Sequence, residues 1–173
     1  MNPVSAPLRR AAPVGLLFAA LASGFLASSF RYLEARATTV TFPLLGLGTT
    51  HYRGRDKFLA TDLGIPVQFT LSQQCGVLLL VVPVLLTAAL LSRSRAIRSG
   101  RLAVGLAVAV LGLIAVNQLR LGLIAWCIRW VGFDDGFPLG HLFLGSILSI
   151  FGLIAAIVCL VRICRPHPRT GGK

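Results

Sequence analysis

The feature that most limits what this chain can fold into is a run over residues 104–130. It is almost unbroken in apolar residues and carries Asn117 and Arg120 in its interior. A run near or beyond about 18 apolar residues marks a membrane span rather than the core of a soluble domain. Arginine at the centre of such a helix costs roughly 2.5–3.5 kcal/mol on insertion scales. It must therefore reach an interface with its long stem or have a partner and a function. Three further apolar runs cover residues 14–30, 75–91 and 141–161. Of 173 residues, 55% are apolar and only 13% charged, and the mean hydropathy is +0.82, which argues against an ordinary soluble domain.

These runs give an expected fold class: an all-α integral membrane protein of about four transmembrane helices, with a large extracytoplasmic loop between the first and second. The expected order starts with a cytoplasmic N-terminus (1–13), a first span (14–30), the large loop (31–74) and a second span (75–92). A basic cytoplasmic loop (93–101) leads to a long third span with an interfacial end (102–130). A short outer loop (131–140), a fourth span (141–161) and a basic cytoplasmic tail (162–173) complete it. Arg9 and Arg10 before the first run also fit a signal peptide, with Leu26-Ala27-Ser28-Ser29 as a small-residue end. Its near-spanning length favours a retained helix. In the large loop, residues 38–42 are β-branched enough for a short extended piece, and Gly46-Leu47-Gly48 and Gly64-Ile65-Pro66 read as turns. Trp126, Arg129 and Trp130 resemble an interfacial anchor.

Charge sets the orientation. The N-terminal segment, the 93–101 loop and the tail together hold ten Lys/Arg and no acid, whereas the other two loops hold five Lys/Arg and all five acids. The positive-inside rule then makes both termini cytoplasmic. The net charge of +12 records this bias and not a nucleic-acid partner. Phosphate binding needs a solvated basic face with interleaved aromatics, and none is left over. The lipid bilayer is the expected partner.

The same count places three reactive residues. Cys75 lies 18 residues before Arg93, Arg120 lies 19 after Arg101, and His141 lies 21 before Arg162. At 1.5 Å per residue those offsets are roughly 27, 29 and 32 Å, one depth at the outer edge of the hydrocarbon core. Each residue alone has a plain reading: a small apolar cysteine at a helix start, a snorkelling arginine, an interfacial histidine. Together they make a constellation. Cys75 at a helix N-terminus near a cation is favoured as a thiolate nucleophile. Arg120 suits an oxyanion, and His141 suits proton transfer. Asn117, three residues before Arg120, shares its helical face and is expected to support the guanidinium or the substrate. Asp134 or Asp135 is placed to orient the imidazole, although a solvated turn explains both. The four cysteines show no metal-ligand spacing, and no metal or organic cofactor is expected.

Gln74-Cys75-Gly76, Asn117-Gln118-Leu119-Arg120 and His141-Leu142-Phe143-Leu144-Gly145 together resemble, in order and spacing, the motifs of the exosortase/archaeosortase family of membrane transpeptidases. The resemblance covers residues 75–153, and this chain would be a short, about four-span form of a family whose members often have about eight. It implies a cysteine transpeptidase or protease that processes C-terminal sorting signals of exported, membrane-tethered proteins at the outer membrane face. It also implies that Cys75 is the nucleophile, with Arg120 and His141 as catalytic partners. Two other classes stand beside it. One is a membrane thiol oxidoreductase using Cys75 and Cys127; the other is a non-enzymatic membrane assembly subunit.

Overall fold

The computed structural model describes residues 5–54, 56–71, 76–94, 97 and 99–165. Cys75, the four residues before Ser5, Arg95 and Arg98 of the basic loop, and the tail beyond Arg165 lie outside the described residues.

Helix α1 (Ser5–Leu44) runs far past the first apolar run and takes in the segment 38–42 expected to be extended. The hydroxyls there turn back onto the helix: Thr38 Oγ1 donates to the Glu34 carbonyl at 2.8 Å, and Thr39 Oγ1 to the Arg36 carbonyl at 2.7 Å. This i−3/i−4 back-bonding lets β-branched threonines sit inside a helix. After the turn at Gly46 the chain forms a three-stranded antiparallel sheet in the order β1-β2-β3, made of β1 (Thr50–Gly54), β2 (Lys57–Ala60) and β3 (Val67–Thr70). Phe58 opposes Phe69 and Ala60 opposes Val67. Period-2 alternation turns these four inward and leaves Lys57, Gln68 and Thr70 outside.

Helix α2 (Leu78–Ser92) follows, then α3 (Ser99–Val131). Gly132 ends α3 at φ +93°, a conformation that favours glycine, and its N–H bonds the Ile128 carbonyl at 3.0 Å. The expected outer loop 131–140 is instead helical. Helix α4 (Phe133–Pro138) carries Asp134 and Asp135 in its first turn, where the helix dipole favours acids. Pro138 has no N–H to donate, and directly after it the helix widens into one π turn (Leu139–Leu144) before continuing as α5 (Gly145–Cys164).

The expected fold class is corrected on two counts. The chain is mostly helical but not all-α, because residues 50–70 hold a sheet whose strands are only four or five residues long. Four transmembrane helices are not supported either. Among the described residues, two helices are long and apolar enough to cross a membrane: α3, at 33 residues, and the continuous helix Phe133–Cys164, at 32. At 15 residues α2 falls short of the roughly 20 a span needs. Both long helices turn large apolar side chains outward, among them Val104, Leu111, Phe143, Phe151 and Ile154, a surface suited to lipid.

Two apolar cores result. One joins Phe42, Phe58 and Phe69, in mutual ring contact, to Leu121, Ile124 and Ile128 near the end of α3. The other joins Val77, Val81 and Val84 to Leu113 of α3 and Leu160 of α5. Between α3 and the helix packed against it, glycines allow close approach. A Cβ on Gly136 would lie 2.5 Å from the Cys127 carbonyl oxygen, and one on Gly140 would lie 2.8 Å from the Ile124 Cα. Gly145 N–H bonds the Gly140 carbonyl across the π turn, so five residues make one turn and both glycines stay on the packed face. Such small-residue seams are how helices associate in lipid. Gly140→Ala is expected to destabilise the protein by about 1–3 kcal/mol, because backbone stands in the way. Gly112→Ala, with nothing within 4 Å, is expected to be neutral or slightly stabilising. Thermal unfolding in detergent or nanodiscs measures both.

Candidate active site

The segment of α3 between the two cores is polar. Leu113 belongs to one core and Leu121 to the other, and between them Asn117, Gln118 and Arg120 are 1%, 7% and 8% exposed. Polar groups buried this deeply are costly without partners. Helix α1 supplies partners for Asn117 and Gln118. Asn117 Nδ2 donates to Glu34 Oε1 at 2.7 Å, and Gln118 Oε1 accepts from Thr41 Oγ1 at 2.9 Å and lies 3.2 Å from Thr38 Oγ1. Glu34 Oε1 also accepts the Val77 backbone N–H at 2.9 Å, at the start of α2. Glu34, 5% exposed, thus joins three helices through one oxygen.

Beside this layer lies a cavity of about 310 Å³. Gly76 and Leu79 line it from the start of α2, Arg120 from α3, His141 from the π turn, and Ser146 and Ser149 from α5. Arg120 lies against Gly145, where a Cβ would come within 3.0 Å of its Nε and 3.2 Å of its Cγ. The His141 ring stacks on Phe137 with centroids 5.2 Å apart and planes 12° from parallel. Ser149 Oγ donates to the Gly145 carbonyl at 2.7 Å.

Of the four residues singled out from sequence, Arg120 and His141 share this cavity, and Asn117 lies one turn from Arg120 on the side facing Glu34. The fourth, Cys75, lies outside the described residues; its neighbour Gly76 lines the cavity. Asp134 and Asp135 are exposed at the start of α4. Cys127 is buried, packed beside Gly140. At the far end of α3, Trp126 and Trp130 stack in parallel 6.0 Å apart, and Arg129 Nη1 donates to the Gly46 carbonyl at 2.8 Å.

The sequence alone assigned no role to Glu34, nor to Gln118 and Gly145 beyond their place in the quoted motifs. Glu34 is the chain's single glutamate and directly follows the first apolar run and its basic edge, a signal that was available. Gln118 had none, because a glutamine beside a noted asparagine carries no chemistry of its own. Among the described residues no cluster of His, Cys, Asp and Glu forms a metal site. No protein family, curated protein or solved structure matches the chain.

Burial pushes the Glu34 carboxyl above its ordinary range, against smaller opposing effects from the Val77 N–H, the Asn117 amide and Arg31. The folded protein therefore holds this proton more tightly than the unfolded chain does. The resulting stabilisation is full below the unfolded carboxylate pKa and is lost as pH rises through the raised folded value. Thermal unfolding followed upward from about pH 4 is expected to show the wild type losing stability relative to Glu34→Gln. A difference between the two that stays constant with pH contradicts this.

Proposed function

We propose that the protein is a membrane-embedded cysteine transpeptidase or peptidase of the exosortase/archaeosortase kind, acting on membrane-tethered exported proteins that carry a C-terminal sorting signal. The observation that carries this reading is the shared cavity. Arg120 and His141 come from different helices, and both line it beside Gly76, the residue joined to Cys75 by one peptide bond.

In this reading α3 and the Phe133–Cys164 helix lie in the cell membrane as an antiparallel hairpin. The basic residues Arg101, Arg162 and Arg165 mark the cytoplasmic end, where Arg101 Nη1 donates to the Arg165 carbonyl at 2.9 Å. The cavity then lies toward the opposite, extracytoplasmic end. A tethered substrate leaving the membrane there presents its polypeptide at the depth of the cavity.

The chemistry follows from the residue types. Cys75 gives its thiol proton to His141, and the thiolate sulfur forms a bond to the scissile carbonyl carbon. Negative charge moves to the carbonyl oxygen, where the Arg120 guanidinium stabilises it. The tetrahedral species collapses as the C–N bond breaks, and the departing amine takes the proton from His141. This leaves a thioester. Water or an acceptor amine then attacks the thioester, His141 accepts the attacking group's proton, and the C–S bond breaks to restore the thiol. Asn117 holds the Arg120 turn of α3 and does not react.

Cys75→Ala is expected to abolish processing of a co-expressed exported protein that ends in a membrane helix and a basic tail. Arg120→Lys keeps the charge but loses the planar fork. Its processing rate should fall by about 10²–10³-fold if the guanidinium serves the oxyanion. Processing that persists in Cys75→Ala, read by immunoblot of the shortened product, sinks the proposal.

A further inference from the structure

We infer that Glu34 is a positioning residue of this site, clamping the segment that leads into α2 against the Arg120-bearing turn of α3. The inference rests on the reading of Cys75, Arg120 and His141 as the reacting groups, and it adds a residue that no sequence motif identifies.

Glu34 Oε1 is the shared acceptor of two bonds that reach opposite parts of the site. The Val77 N–H, at 2.9 Å, belongs to the residue two positions after Cys75. The Asn117 amide, at 2.7 Å, belongs to the residue one helical turn before Arg120. The two donors lie 43 and 83 residues from Glu34 in sequence, so the clamp exists only in the folded chain. It is the cap of α2 as well. Val77 makes no side-chain cap bond, while its carbonyl already accepts from Leu80 and Val81. A carboxyl oxygen there meets one of the orphan N–H groups that open every helix, and the helix dipole favours it. Geometry limits the substitute. Oε1 lies on a side chain 5% exposed between α1, α2 and α3, where a shorter acid cannot follow the same donors. Arg31, one turn earlier on α1, contributes charge without appearing among these bonds.

A helix start held in this way keeps its first N–H groups oriented, the arrangement that the reading of Cys75 as the nucleophile calls on. Release of the clamp lets the first turn of α2 fray. Glu34 acts through other residues and touches no reacting atom.

The test uses the full chain in nanodiscs with Cys127, Cys159 and Cys164 replaced by serine. Two quantities are measured: amide hydrogen exchange at Val77, and the pH midpoint for modification of Cys75 by N-ethylmaleimide. In Glu34→Ala, Val77 should exchange roughly tenfold faster or more, the loss of about one buried hydrogen bond, while amides in α5 keep their protection. The midpoint should rise to that of a free thiol, about 8.5. Glu34→Gln retains Oε1 and should keep both properties near those of the parent. Glu34→Asp keeps the charge but withdraws the oxygen, and should behave like the alanine variant; it also serves if alanine prevents folding. Unchanged Val77 exchange in both the alanine and aspartate variants overturns the inference. So does a parent-like midpoint in those variants when the parent's own midpoint lies below that of a free thiol. A parent midpoint already near that of a free thiol instead counts against Cys75 as an activated nucleophile, and Val77 exchange then decides the clamp alone.

Discussion

The architecture depends on one buried polar layer. Two apolar cores share α3, one beneath the sheet and one within the helical bundle, and the turn of α3 between them carries Asn117, Gln118 and Arg120. In an environment with little water, each of those groups must find a partner inside the protein. Helix α1 meets that need for the Asn117 amide nitrogen and the Gln118 carbonyl with Glu34, Thr38 and Thr41, spaced at three and four residues so that they form one stripe. The stripe fixes α1 against α3 in both rotation and height, because a slip by one residue would break every bond in it. The start of α2 is tied to the same carboxyl. The bonds from α1 to Asn117 and Gln118 thus help set the position of the cavity, with apolar packing above and below, while Gln118 Nε2 and Glu34 Oε2 are buried without a hydrogen bond among the described residues.

The opposite wall is shaped by a different constraint. Helix α3 and the helix ending at Cys164 meet along glycines, and at Gly136 and Gly140 the backbone of α3 leaves no room for a Cβ. Their spacing fits an ordinary helix only up to Gly140. The π turn inserts the extra residue that returns Gly145 to the seam, and His141 lies on that turn. A single widening of the helix thereby serves two ends: it keeps the close contact and brings the imidazole to the cavity that Arg120 lines from α3. Wide turns of this kind recur at functional sites.

Much of this was legible in the sequence, and the limits have physical causes. The long apolar runs located α3 and α5 because hydropathy over about 20 residues is a strong signal. Counting residues from the basic ends brought Arg120 and His141 to a common depth, since helical rise is constant; both line one cavity. The sheet was not legible. Strands of four residues such as Val67–Thr70 hold only two inward side chains, too few for alternation to stand out from a loop. The length of α1 was missed because Thr38, Thr39 and Thr41 read as β-formers, and the carbonyls that accept their hydroxyls are invisible in sequence. Reading each apolar run as a span overcounted them, because the run at 75–91 yields a helix of only 15 residues. Glu34 was passed over as a loop acid, since its partners lie 43 and 83 residues away.

The central claim is that a carbonyl becomes covalently attached to the cysteine beside Gly76. The most direct measurement is mass spectrometry of the purified protein after incubation with a peptide spanning the processing segment of a candidate tailed substrate. The expected result is an acyl adduct, released by hydroxylamine as a thioester is, on the fragment containing Cys75. An adduct on Cys127, Cys159 or Cys164 instead, or a tailed substrate processed with no adduct formed at Cys75, would contradict it.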